Sequence, residues 1–149
     1  MEQNPDSPAA LPQRRRLPAF HPVPVGPRSD GWNPRRQAAF IGYLVETGSV
    51  QAAARRVGMG RESAYRLRRR PGAAGFAAAW DAALGKPHRT VDLSSEKSTG
   101  LDAAYRFETG LLMVLIGAGR FKGSYWKDDN NALMQLLAQR GRGGPGLRG

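Results

Sequence analysis

The chain has 149 residues, room for one ordinary domain or two small ones. Its 23 Lys+Arg outnumber 12 Asp+Glu, and the net charge of +11 points to a polyanionic partner. The absence of Cys excludes disulfides, thiolate zinc sites and cysteine nucleophiles, and only His21 and His88 remain to build a histidine-based site.

The longest run of large apolar residues, Leu111 to Ile116, is far shorter than the roughly 20 residues that span a bilayer. The opening Met1-Glu2-Gln3-Asn4-Pro5 has no apolar secretory core. The expectation is a cytoplasmic protein with no membrane partner, nucleoid-associated when bound to DNA. The excess charge is concentrated. Residues 31–70 hold nine Arg against Glu46 and Glu62, residues 71–139 are balanced, and residues 140–149 add three Arg.

Residues 1–30 contain seven of the eleven prolines and no sustained period. Proline removes backbone donors and favours extended states, so this stretch reads as a disordered arm. Arg14, Arg15 and Arg16 within it are candidate phosphate contacts or a solvated charge run.

From residue 31 the pattern is helical. Asn33-Pro34 combines an N-cap with proline at the first helical position. Ala38, Ile41, Leu44 and Val45 then lie on one face, and Gly48 stops the helix. Ser49 caps a second helix at about 50–57. Gly58-Met59-Gly60 breaks the chain, and a third helix at about 61–69 ends before Pro71-Gly72. A fourth, at about 73–84, aligns Phe76, Trp80 and Leu84. The aromatics Trp32, Phe40, Phe76 and Trp80 read as core in preference to base-stacking platforms.

Residues 85–100 have linker composition. Leu101 to Glu108 looks helical. Leu111 to Ile116 is ambiguous by period; strands at about 112–116 and 121–126 around Gly117-Ala118-Gly119 are favoured over one long helix through Gly110. Asp128 is the expected cap of a last helix at about 129–139, and residues 140–149 read as a flexible basic tail. The fold expected is mainly α. An N-terminal helix-turn-helix bundle of three to four helices occupies 31–84, and a small C-terminal α/β-hairpin/α region occupies 101–139.

Residues 50–69 fit helix-turn-helix spacing. Ala54 is the small residue at the crossing of the two helices. Gly58 suits the positive φ of the turn. Val57, Met59, Ala64 and Leu67 are the apolar residues around it. On a wheel of about 100° per residue, Ala64 and Leu67 face inward. Glu62, Arg66 and Arg69 face outward, with Tyr65 on the flank and Arg61 at the N-terminal end. That strip is what a recognition helix presents to the major groove. Arg61, Glu62, Tyr65, Arg66 and Arg69 are therefore the candidate base readers, with Arg66 and Arg69 suited to guanine O6 and N7. Glu62 is expected to pair with Arg66 one turn on. Arg55, Arg56, Ser63, Arg68 and Arg70 are the candidate phosphate contacts.

The run from Trp32 to Ile41, the segment Thr47 to Ala54 and the segment Val57 to Arg68 together resemble helix-turn-helix proteins related to phage terminase small subunits. Thr109-Gly110, the Gly117–Gly119 turn, Gly123, Tyr125 and the run Asn131 to Leu137 also fit the layout of that group. The hairpin departs from it in carrying Met113 and Leu115 where a proline and an aromatic are usual. The resemblance spans about 32–139. It implies double-stranded DNA as partner and, for packaging subunits, a homo-oligomeric ring serving a separate large ATPase subunit. For chromosomal relatives it implies transcription regulation.

No residue set for catalysis stands out, and no cofactor is expected. Gly85-Lys86 is followed by Pro87 and lacks the upstream glycine of a phosphate loop. Asp128 and Asp129 point about 100° apart on a helix and do not converge as a catalytic pair. Two alternatives remain: an oligomeric scaffold that binds DNA only non-specifically, and RNA binding through the Arg/Gly tail.

Overall fold

The computed structural model describes residues 17–28 and 30–143, with side chains through residue 141. Arg14, Arg15, Arg16 and the end of the tail lie outside the described residues. The first helix, α1, spans Pro34–Thr47. The Asn33 side chain accepts from the Arg36 amide at 2.8 Å, satisfying one of the amides a helix start leaves unpaired. Gly48 closes α1 in the left-handed region at φ 67°. Ser49 then caps α2, Val50–Arg56. The next helices are α3, Arg61–Arg68, and α4, Ala74–Ala83. Most of α4 is buried, so alanine, phenylalanine and tryptophan occur on several of its sides.

The C-terminal half adds the short α5, Glu96–Thr99, and α6, Ala103–Thr109. Strands β1, Leu111–Gly117, and β2, Arg120–Lys127, pair antiparallel and are followed by α7, Asn130–Gly143. Leu111–Ile116 is thus strand, the β-rich alternative for that segment. The register slips between Leu115 and Ile116, placing a bulge beside the Gly117–Gly119 turn.

The two halves share one core. Phe40 lies against Phe76 and Trp80, with ring centroids 6.0 and 5.0 Å apart, and Trp32 meets Phe40 edge-on at 5.4 Å. Leu112 of β1 is buried in the same cluster. The hairpin lies along α1. At Gly42 a side chain would collide with the Phe121 ring, so glycine in the middle of a helix permits this close approach. Glu46 fastens the contact: one carboxylate oxygen accepts from the Phe121 amide at 2.8 Å and the other from Arg56 at 2.7 Å. These two bonds, that to Arg56 foremost, hold the Glu46 carboxyl below its ordinary pKa.

Four sequence expectations are corrected. The arm does not run free to residue 30, because residues 17–25 form a strap inside the fold. Phe20 is fully buried and exchanges backbone hydrogen bonds with Leu112. The strap's prolines have no amide to bury, and the carbonyls of Phe20, Pro22 and Val23 find donors. Gln37 donates to Val23 O and accepts from Val23 N, and the Tyr105 hydroxyl donates to Pro22 O. Desolvation there pushes the Tyr105 phenol up to about 12. The linker 85–100 is partly built, since it contains α5 and the buried Thr99. The cap of α7 is Asp129, not Asp128: Asp129 accepts from Ala132 N at 3.0 Å and also holds the buried His21 at 2.6 Å. Finally, α7 continues through Gly143, beyond the expected end at 139.

Candidate nucleic-acid interface

The turn between α2 and α3 is built by one residue's conformation. Gly58 takes φ 75°, and the chain doubles back so that Met59 N donates to Ala54 O at 2.9 Å. Ala54 and Ala64 are buried with almost no exposure, which lets the two helix backbones approach. Val57 and Leu67 are buried beside them, and Met59 packs against the core edge. Arg36, which the sequence did not single out, ties this unit to α1. Its guanidinium donates to Val57 O at 3.1 Å and to Gly31 O at 2.9 Å.

The candidate contacts fall into two groups. Several side chains are engaged within the protein. Arg68 makes two parallel hydrogen bonds to Asp81, at 2.9 and 3.0 Å, and lies over the Trp80 ring at 5.0 Å. Arg56 is held by Glu46 and lies over Tyr43 at 5.1 Å. Ser63 accepts the Trp32 indole N–H at 2.7 Å. Tyr65 is half-buried with its ring 5.0 Å from Trp80, and Arg61 lies over Tyr65 at 5.3 Å. Tyr65 therefore joins the α4 side of the helix and does not lead the outward strip.

The second group is exposed. Arg55, Glu62, Arg66, Arg69 and Arg70 reach solvent, and among the described residues none forms an ion pair or side-chain hydrogen bond. The expected Glu62–Arg66 pair is not formed. A one-turn ion pair at an exposed position gains little over hydration, so geometry there is weakly enforced. The exposed arginines are divided between two clefts. One, of about 500 Å³, lies between α2 and α3 and is lined by Arg55 and Arg61 with Glu62. The other, of about 400 Å³, lies at the C-terminal end of α3 against Trp32 and Val25.

Sequence reasoning missed Asp81, Glu46, Trp32 and Val25 as neighbours of this surface. Asp81 and Glu46 are 13 and 10 residues away from the arginines they hold. No local spacing rule reaches across that distance. Among the described residues, no cluster of three or more His, Asp or Glu stands where a metal would bind, and no helix is long and apolar enough to cross a membrane. Compared with known proteins, the chain matches no family model, no curated protein and no solved structure.

Proposed function

We propose that α2, the Gly58 turn and α3 form a helix-turn-helix that binds duplex DNA, in a role like that of a terminase small subunit or a transcription regulator. The observation that carries this reading is the set of exposed arginines on and beside α3 that no carboxylate neutralises. Arg66 and Arg69 lie with Glu62 on the strip opposite the buried Ala64 and Leu67, where base edges would be met. Arg55 and Arg70 flank that strip and suit phosphate.

Anisotropy of labelled duplexes across a salt series tests it. A site-selected sequence should be preferred over its scramble by several kcal/mol at about 150 mM salt. Equal binding that collapses with salt on both duplexes would reduce the surface to a non-specific clamp and favour the scaffold alternative.

The reading includes self-association. A single short recognition helix reads only a half-site, and a second copy supplies the other. Tyr125 and Trp126 on β2, with Met134 and Leu137 on α7, are each about half exposed or more, and offer apolar surface for that contact. Sedimentation should find a dimer or larger assembly at micromolar concentration; a monomer there removes this part of the reading.

A further inference from the structure

We infer that the cleft at the C-terminal end of α3 seats one sugar–phosphate unit of the duplex backbone, and that the N-terminal strap forms part of its wall. The inference rests on the duplex-DNA reading and adds a site to it. The cleft, about 400 Å³, has an apolar floor of Val25, Trp32 and Leu67 and a rim of Arg66, Arg69 and Arg70. No carboxylate lines it. Ser63 also lines the cleft. Its oxygen is occupied by the Trp32 indole, and among the described residues nothing accepts its own proton, so that proton is available to an anion.

A cationic rim over an apolar floor is complementary to a ligand with one charged end and one apolar face. A backbone phosphate with its deoxyribose has both in the right order. A bare inorganic anion would use only the rim, and an uncharged apolar molecule only the floor.

The position on α3 agrees. Ser63 lies about 100° around the helix from Glu62, and Arg70, just past the C-cap of α3, lines the same cleft. A helix about 10–12 Å across fills a groove about 12 Å wide, so its flanks face the two backbone walls while its strip faces the bases. The opposite flank is closed, because Tyr65 and Arg68 are packed against Trp80 and Asp81 of α4. The cleft is the open flank. Two residues before Val25, the strap is tied to α1 by the two hydrogen bonds between Val23 and Gln37.

The test uses the full chain and a labelled duplex titrated across a salt series. Arg70→Gln, Val25→Glu and Pro27→Glu are compared with wild type, each checked by thermal melting. Pro27 is exposed, lies two residues beyond the strap and does not line the cleft, so Pro27→Glu brings the same charge change without entering it. Arg70→Gln should lose about tenfold in affinity on selected and scrambled duplexes alike. Its salt slope should be shallower by about 1. Val25→Glu should lose far more than Pro27→Glu. A methylphosphonate scan, which neutralises one phosphate at a time, should find a position that weakens wild type and leaves Arg70→Gln unchanged.

The cleft assignment is overturned if Arg70→Gln alters the ranking of sequences with the slope unchanged, since Arg70 then meets a base. It is also overturned if Val25→Glu folds and binds like Pro27→Glu. If Val25→Glu does not fold, Arg70→Gln and the scan decide. Displacement of the duplex by deoxyadenosine monophosphate at micromolar concentration would assign the cleft to a free nucleotide and overturn the backbone source. A wild type that binds no duplex overturns the DNA reading itself, a result distinct from normal binding with an indifferent cleft.

Discussion

The two flanks of α3 carry the same residue type in opposite states. Toward α4, Arg68 is two-thirds or more buried, doubly bonded to Asp81 and stacked on Trp80. Toward the strap, Arg70 is exposed and lines a cleft with an indole, a valine and a serine but no carboxylate, and Arg66 and Arg69 of the strip border the same cleft. An arginine count treats these side chains as equal contributors to a basic patch. The fold separates them into a cation that joins two helices and cations left over for a partner. A partly buried bidentate pair has fixed geometry and contributes to stability. An unpaired guanidinium at the surface contributes little to stability and interacts with whatever anion arrives.

The sharpest way to break this contrast is Arg66→Ala with Arg69→Ala. Affinity for a selected duplex should fall by about 1–3 kcal/mol for each arginine–guanine pair that is removed. Stability should stay within about 0.5 kcal/mol. Denaturant unfolding beside the binding titration checks both, and wild-type binding by the double variant would end the assignment of the strip.

Trp32→Phe probes the wall of the open flank. It removes the indole N–H that Ser63 accepts at 2.7 Å and should lower stability by about 1–2 kcal/mol in urea. Asp81→Ala is the converse of the arginine variant. It should reduce stability by about 1 kcal/mol and leave duplex affinity equal or raised, because Arg68 is released. A large loss of DNA binding with Asp81→Ala would show that the closed flank also takes part.

The smallest expected effect is a pH dependence of the strap. His21 is buried, and desolvation, the largest influence, pushes its pKa down. The hydrogen bond and charge of Asp129 oppose that shift, and Arg106 adds to it. Its Nδ1 has no partner, so a second proton there would meet no acceptor. A lowered folded-state pKa means that the unfolded chain binds the proton first. The stabilisation is complete above the ordinary imidazole value of about 6.5, and is lost as pH falls from there through the lowered folded value. Urea midpoints at pH 7.5 and 5.5 should show the fall for wild type, and His21→Asn should reduce it. Equal slopes for the two proteins would remove His21 as the source.

Much of the helix layout is legible in local signals. Asn33-Pro34, Gly48, Ser49 and Gly58 are each a stop or start whose chemistry acts within four residues, and α1 to α3 begin and end accordingly. The alternation around Gly117–Gly119 similarly marks β1 and β2. The strap is hidden by its proline density, which masks the interleaved Phe20 and Val23; these are apolar, and both are buried. The cap of α7 is not legible, because the adjacent Asp128 and Asp129 are indistinguishable by spacing. The buried His21 ring, 108 residues away, accompanies the choice of Asp129.

The sequence alone determined where the charge lies, where α1 to α3 begin and end, and which face of α3 is apolar. Those properties depend on residue chemistry and on neighbours within a turn or two of helix. Which arginines stay free was decided only by tertiary structure. Asp81, Glu46 and Trp32 reach α2 and α3 through chain reversals, and a guanidinium's state depends on whether a carboxylate happens to be folded beside it.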